Sequence, residues 1–565
     1  MTTEGKRLRL VIVGGARGGM SAAVRARRLN EDAAITVIER ASYISYTNSF
    51  VPLSLGSVLE RDTLIALQTP AGLSARFNLD VRVCTELVSI AREHHSITVT
   101  CRKTDTVYDL PYDKLILAQG ADPAALPPIA GISKANVFPL QSLADLQIIR
   151  SFVVQNDCRE VVILGGAFAG LKAVESLYSF GLRVSVIEAG DRLCPEFDPD
   201  FATIVQKELT RKGVQIYLES ECQMIAEPDA SDLCYVQLRD GCSLSADLVV
   251  VATEPEPRVW QAKNAGLEVR KGIVVNAFMQ TSDQDIYAVG SVAEVVNRIS
   301  HMPQVSSMSG PSNRQGRLAA DHIFNRATAY PGTCGTHVYR VFHLTAAITG
   351  LSVSELKQIG YEPQSVTIHQ PDHAGYFPSS QQLTLRVAFE PASGLLLGAQ
   401  IVGHSGVEGR IDVIATAMQA GMTVFDLEHL ELSHMPQYGS VKDPVNLAGS
   451  VGSNLLRGDL HIVLPGNLQG RLHDWQIIDV RSAERFAQGH LPLARNIPID
   501  SLRSKLDEIE KERPVLVYSR VGYHSYLAYR ILVQSGYRAA NLDGGLKLFT
   551  DGGYQPELVV DAQDG

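Results

Sequence analysis

The feature that most constrains the fold is a unit that occurs twice. The stretch "RLRLVIVGGARGGMSAAVRARRL" reads as a strand of β-branched residues, a glycine turn and an Ala/Arg-rich helix, and the strand "AITVIER" follows with Glu39 near its end. Gly14 and Gly19 take the first and last glycine positions of the dinucleotide fingerprint, and Ala16 takes the middle one. Such glycines let the backbone approach a pyrophosphate, the helix N-terminus favours its charge, and a carboxylate about twenty residues on accepts ribose hydroxyls. The unit returns as "REVVILGGAFAGLKAVESLYSFGLRVSVIEAG", with Gly165, Ala167 and Gly170 in the same places and Glu188 ending the second strand. One glycine turn is weak evidence, but strand, turn, helix and acidic strand end repeated in order predict two Rossmann-like domains for two dinucleotides. Glu188, with no arginine directly after it, favours NADH over NADPH, although Arg192 follows closely. The methyl of Ala167 crowds the pyrophosphate position, which leaves open a second unit that no longer binds nucleotide.

The rest of the composition narrows the function class. A chain of 565 residues has room for three or four domains. Its net charge of -10 comes from interspersed signs with no run of like charge, so neither nucleic acid nor an anionic membrane surface is an expected partner. No apolar run reaches the ~18 residues of a membrane span, and "MTTEGKRLRLVIVGG" lacks the apolar core of a signal peptide. The cysteines are scattered, without a C-x-x-C pair or zinc-like clustering. These features predict a cytoplasmic protein without a metal site that acts on a small molecule.

Further segments carry a family resemblance. "DKLILAQGADP" with Gly120, "DLVVVATEPEPR", "TSDQDIYAVGSVAEVV", "SYTNSFVPL", "LQTPAGLSARFNLDVR", "GPSNRQGRLAADHIF", "YRVFHLTAAITGLS" and "LSHMPQYGSVKDPVNLAG" lie along the chain. Together they resemble the coenzyme A-disulfide reductases and NADH-dependent persulfide reductases of the pyridine nucleotide-disulfide oxidoreductase superfamily. Near the C-terminus, "WQIIDVRSAERFAQGHLPLARNIPI" and "RPVLVYSRVGYHSYLAYRILVQSGYRAANLDGG" are similar to a rhodanese domain.

The resemblance implies an α/β chain that forms a homodimer. It divides into an FAD domain in two parts (1–150 and 276–328), an NAD(P)H domain (151–275), an α+β dimerisation domain (330–454), a linker (455–470) and a rhodanese-like α/β domain (471–560). It places Arg40, Asn48, Gly120, Gly290 and Ser291 at FAD, with Ser291 where the family has an aspartate. Arg25, Arg27, Arg28 and Lys442 resemble the positions that hold coenzyme A phosphates, the competing reading for the arginines being a solvated helix face. Tyr376, His434 and Tyr438 are implied to face the partner subunit's flavin and to assist in proton transfer, and His434 stands where a tyrosine is usual.

In "SYTNSFVPL", Ser45, Asn48 and Pro52 match a single-cysteine redox segment, yet Ser49 occupies the cysteine position. In the rhodanese-like loop Ser519 occupies the sulfur position, and His524 stands where an arginine is frequent. A thiol ionises near pH ~8.5 and lower in enzymes, whereas a serine hydroxyl ionises far higher and cannot form a reversible S–S bond. Disulfide or persulfide reduction by the family route is therefore expected to be lost at Ser49, and sulfur transfer at Ser519. A nucleophilic Ser49 would need a neighbouring base, which "TNSFVP" does not offer.

Cysteine-to-serine replacement in an otherwise active reductase is one account of the pair. Ser291, Ala167, His524 and His434 favour natural divergence instead. Three functions then compete. The first is an NAD(P)H-linked flavin oxidoreductase with a non-disulfide acceptor. The second is a non-catalytic protein that binds FAD or coenzyme A and uses the rhodanese-like domain for interaction. The third is a flavoprotein that holds FAD structurally or as an oxidase.

Overall fold

The computed structural model describes residues 7–46, 66–123, 129–132, 134–140, 143–226, 234–252, 255–326, 328–554 and 558–559. The chain separates into two compact units, Met1–Ala189 with Val214–Thr333, and Gly190–Gly213 with Cys334–Gly565.

Two parallel sheets make up most of the first unit. One runs in the order Ile286–Ala288, Lys114–Leu117, Arg9–Val13, Ala34–Ile38, Asp80–Arg82. Its strands are short apolar runs such as "RLVIV", buried on both faces as a helix-covered parallel sheet requires. The strand Ile286–Ala288 comes from far down the sequence and joins beside Lys114–Leu117, so this domain is discontinuous in the chain. The helix Arg17–Leu29 packs on the helix Ser309–Ile323, tied by Ser21 Oγ to the Asn313 carbonyl at 2.8 Å. The other sheet runs Val137–Pro139, Leu248–Val251, Glu160–Leu164, Arg183–Ile187, Gln215–Tyr217. The antiparallel pair Ala121–Pro123 and Pro255–Pro257 carries the chain between these domains.

The second unit opens with an antiparallel sheet in the order His337–Val341, Leu344–Gly350, Leu396–Gly403, Gln382–Phe389, Gln364–Pro371. Helices Val407–Gln419 and Pro444–Leu456 cover it. A five-stranded parallel sheet follows, in the order Ile462–Val463, Ala539–Leu542, Val515–Tyr518, Gln476–Asp479, Ala494–Asn496. The helix Pro199–Arg211, which the sequence boundaries assign to the nucleotide domain, belongs with this unit. The reason is electrostatic: Asp198 and Asp200 at its start are buried against Arg386 of the antiparallel sheet, at 3.0 and 2.5 Å. Among the described residues no helix is long and apolar enough to cross a membrane. No group of three or more His, Cys, Asp or Glu among them could hold a metal ion.

Candidate functional site

The first cradle forms where the strand Arg9–Val13 ends and the helix Arg17–Leu29 begins. Gly14 has φ +109°, and a Cβ there would collide with the Ala118 carbonyl, so the turn admits glycine alone. Gly19 lets the helix rest on the Gly14 carbonyl, and Ala16 is the residue at which the helix starts, in extended conformation. Glu39 is buried at the rim, its Oε2 accepting the Gly15 N–H at 2.7 Å and its Oε1 the Ala41 N–H at 2.9 Å. These bonds orient the carboxylate and leave lone pairs for a ribose.

A cleft beside it is lined by Val13, Gly14, Glu39, Arg40, Gln119 and Arg258. Gln119 Nε2 donates to the Arg258 carbonyl and to Gln261 Oε1, whereas its buried Oε1 has no partner among the described residues. A buried acceptor left bare beside a glycine cradle fits a bound group that brings a donor, as a dinucleotide does. Arg40 pairs with Asp122 at 2.8 Å, and Arg258 reaches Asp122 and Glu86 at 2.9 and 3.0 Å. Burial pushes the Glu86 carboxyl up, but Arg102 and Arg258 together hold it below its ordinary value. Gly120 lies at the cleft end with φ +78°, its carbonyl accepting the Arg258 N–H. Gly290 gives its N–H to Gln315 Oε1 at 2.8 Å, and Ser291 is half-buried on the turn Gly290–Val292.

The second cradle repeats the first. Gly165 has φ +108°, Gly170 rests on the Gly165 carbonyl, and Ala167 precedes the helix Phe168–Ser179 with the same extended geometry as Ala16. Glu188 Oε2 accepts the Gly166 N–H at 2.6 Å, the counterpart of the Glu39 bond. One turn into the helix the Lys172 ammonium lies 3.7 Å from the centre of the Phe168 ring, and burial pulls its pKa down to about 8.

The basic residues behave differently from one another. Arg25 is committed to Asp321 at 2.6 Å, and Arg27 is buried with its donors on the carbonyls of Phe77, Asn30, Glu31 and Asn78. Arg28 is exposed, bonding the Val24 carbonyl, and Lys442 is exposed on the second unit.

Tyr376, His434 and Tyr438 are all exposed, Tyr376 at 82% and Tyr438 at 76%. Their two loops are joined by the Ala374 N–H on the Pro436 carbonyl at 3.1 Å. Arg410 clamps the pair from below through the Asp372 carbonyl at 2.7 Å and Asp443 at 2.9 Å. The structure therefore brings the loop of Tyr376 together with the segment of His434, Tyr438 and Lys442.

Ser519 ends the central strand Val515–Tyr518 and opens the loop into the helix Tyr523–Gln534. It is 3% exposed; its Oγ accepts the Gly522 N–H at 3.2 Å and lies 3.2 Å from Ser525 Oγ. His524 is exposed at the loop mouth. Ser49 and Asn48 lie outside the described residues, as does Pro52.

Sequence reasoning missed Gln119, Lys172, Arg386 and Arg410. Gln119 and Lys172 stood inside quoted motifs, while the arginines act through partners far off in sequence.

The comparisons extend this geometry. A family model described as pyridine nucleotide-disulphide oxidoreductase matches residues 8–310, its dimerisation domain matches 338–441, and a rhodanese-like domain matches 464–551. The chain is 29% identical over 444 residues to a coenzyme A disulfide reductase of Staphylococcus aureus (strain JH9), covering 78% of this chain and 99% of that one. The reduced CoADR-RHD of Bacillus anthracis is similar in structure with a TM-score of 0.94 and 36% identity, over 97% of this chain and 98% of that one. A NAD-dependent persulfide reductase from A. fulgidus aligns with a TM-score of 0.89 and 32% identity, over 96% and 100%.

Proposed function

Since the chain belongs to the pyridine nucleotide-disulphide oxidoreductase family, which implies FAD and NAD(P)H, we propose that it is a homodimeric, NADH-linked flavin oxidoreductase whose electrons leave to a non-disulfide acceptor. The observation that carries this reading is that serine stands at both sulfur positions, Ser49 and Ser519. FAD, when bound, supplies a hydride acceptor that needs no thiol.

The chain's own residues then have defined tasks. Glu39 holds the ribose of the first dinucleotide, and Gln119 Oε1 takes a donor from it. Glu188 holds the ribose of the second dinucleotide, and the carboxylate disfavours a 2′-phosphate there, which selects NADH. Tyr376, His434 and Tyr438 belong to the partner subunit's active site, where His434 is the residue that moves a proton. Arg28 and Lys442 are exposed and able to take phosphates of an organic substrate that replaces the coenzyme A disulfide named for the relatives. Arg25, neutralised by Asp321, positions the helix instead.

Anaerobic titration of the purified protein with NADH tests the reading. Flavin bleaching, followed by reoxidation with oxygen or a quinone but not with coenzyme A disulfide, is expected. Turnover with coenzyme A disulfide would overturn it. A protein that keeps its colour unbleached would indicate structural flavin, and a colourless one a binding module. Ser49→Cys is expected to introduce disulfide reduction that the parent lacks.

A further inference from the structure

In the second unit the strand Gln364–Pro371 forms one edge of the antiparallel sheet, and an edge strand presents N–H groups that need partners. The rhodanese-like domain supplies one. Asp543 Oδ1 accepts the Thr367 N–H at 2.9 Å, and the residue is 3% exposed. Asp543 follows the strand Ala539–Leu542 and starts the turn into the helix Gly545–Asp551. The same turn holds the serine loop, because the Leu546 N–H bonds the Ser519 carbonyl at 2.9 Å and the Lys547 N–H bonds the Arg520 carbonyl at 2.8 Å. One carboxyl thus joins the sheet edge to the turn that fixes Ser519.

The charges around this carboxyl do not balance. From the helix Pro199–Arg211 and its cap come Asp200 and Asp198, and both are served by Arg386 of the strand Gln382–Phe389, which pairs with the edge strand. Tyr554 adds its hydroxyl to Asp200 at 3.1 Å, and Lys547 is taken up by Asp551. Arg520 is exposed. Asp543 Oδ2 is buried without a hydrogen-bond partner among the described residues, and so is Nε2 of His369. His369 stands two residues past Thr367 on the same strand, its Nδ1 2.9 Å from Thr384 Oγ1. A buried carboxylate with one oxygen unpartnered costs more than a carboxylic acid in the same place.

We propose that the Asp543 carboxyl is a proton-operated latch: protonated, it locks the rhodanese-like domain onto the edge strand, and ionised, it loosens the turn that fixes the Ser519 loop. Burial, opposed by Arg386 and the Thr367 N–H and aided by Asp200, raises Asp543 from 3.8 to about 6. Burial, with Lys547 and Arg386 nearby and opposed by the Gly544 backbone, lowers His369 to about 3, so the imidazole stays neutral. A carboxyl raised in the closed state contributes fully below its open-state value of 3.8, and its contribution is lost as pH rises through about 6. From these two values the open fraction increases about tenfold between pH 5 and pH 7.

Hydrogen–deuterium exchange of the full-length protein from pH 5 to pH 8, corrected for intrinsic rates, reads the latch. Residues 364–371 and 519–525 are expected to lose protection about tenfold between pH 5 and pH 7, with residues 9–13 as an unchanging reference. Asp543→Asn keeps the acceptor for Thr367 and cannot ionise, so its protection should be flat with pH. Asp200→Asn removes a charge that raises Asp543, so it should move the midpoint to lower pH, and it serves if the first variant does not fold. A flat wild-type profile, an undiminished slope in Asp543→Asn or an unmoved midpoint in Asp200→Asn would each overturn the latch.

Discussion

Replacing Arg386 with methionine isolates the largest electrostatic commitment in the second unit. Its guanidinium is buried and donates to Asp198 Oδ2 at 3.0 Å, to Asp200 Oδ1 and Oδ2 at 2.9 and 2.5 Å, and to Thr367 Oγ1 at 2.9 Å. Without it Asp198 retains Ser354 and Gln400 as donors, and Asp200 retains the Phe201 N–H and the Tyr554 hydroxyl. Two carboxylates then lie buried with no opposing charge, a situation that costs about 3–5 kcal/mol. Methionine fills most of the volume, so a cavity adds little. Urea unfolding at pH 7 should show that loss.

The pH dependence supplies the sign. In the wild type, burial pushes Asp198 up but Arg386 and Ser354 hold it below its ordinary value. Its contribution is therefore present above the unfolded carboxylate value of about 4 and lost as pH falls through the lower folded one. In the variant the stranded carboxylates take up protons more readily, so the deficit should shrink from pH 7 toward pH 5. Adding Asp198→Asn and Asp200→Asn removes the stranded charge and should recover part of the loss. A deficit under about 1 kcal/mol at pH 7, or one that does not change with pH, would refute the reasoning.

Three further outcomes are expected. Glu188→Gln keeps an acceptor for the Gly166 N–H but loses a charge-assisted bond to ribose, so NADH should bind about tenfold more weakly in anaerobic titration; unchanged affinity would remove Glu188 from the site. Gly14→Ala forces a Cβ against the Ala118 carbonyl at a φ of +109°, so the flavin absorbance per chain should fall sharply, and full loading would contradict the cradle. Lys172 is lowered from 10.5 to about 8 by burial, so wild-type stability should rise between those pH values as the unfolded chain alone holds the proton. Lys172→Met should add about 2–3 kcal/mol at pH 7 and abolish that rise, and urea unfolding at pH 7 and 9.5 checks both.

The two cradles were legible because everything that makes them lies within about thirty residues: strand, turn, helix and acidic strand end. Glu39 and Glu188 illustrate this, each bonding the glycine N–H that its own motif supplies. What the sequence hid acts across distance. Arg25 resembles a phosphate-binding residue, yet its partner Asp321 is 296 residues away. The helix Pro199–Arg211 reads as part of a nucleotide-binding unit, yet Arg386, 188 residues from Asp198, and Ser354, Gln400 and Tyr554 with it, tie its start to the other unit. Gln119 is an ordinary polar residue until Arg258 and Gln261 consume its amide nitrogen and leave the oxygen bare.

The surroundings of Ser519 bear directly on where chemistry is done. A hydroxyl becomes a nucleophile when a base removes its proton, and a sulfur loop works by gathering N–H groups around a thiolate. Ser519 Oγ accepts one N–H, that of Gly522, and its other contact is the hydroxyl of Ser525, which in turn donates to the Gly522 carbonyl. Neither partner can accept a proton as a base. The loop therefore holds this hydroxyl with no base beside it. The same domain touches the edge strand through Asp543, whose Oδ1 accepts the Thr367 N–H, and the proposed latch acts at that contact without any covalent bond of the serine loop being made or broken.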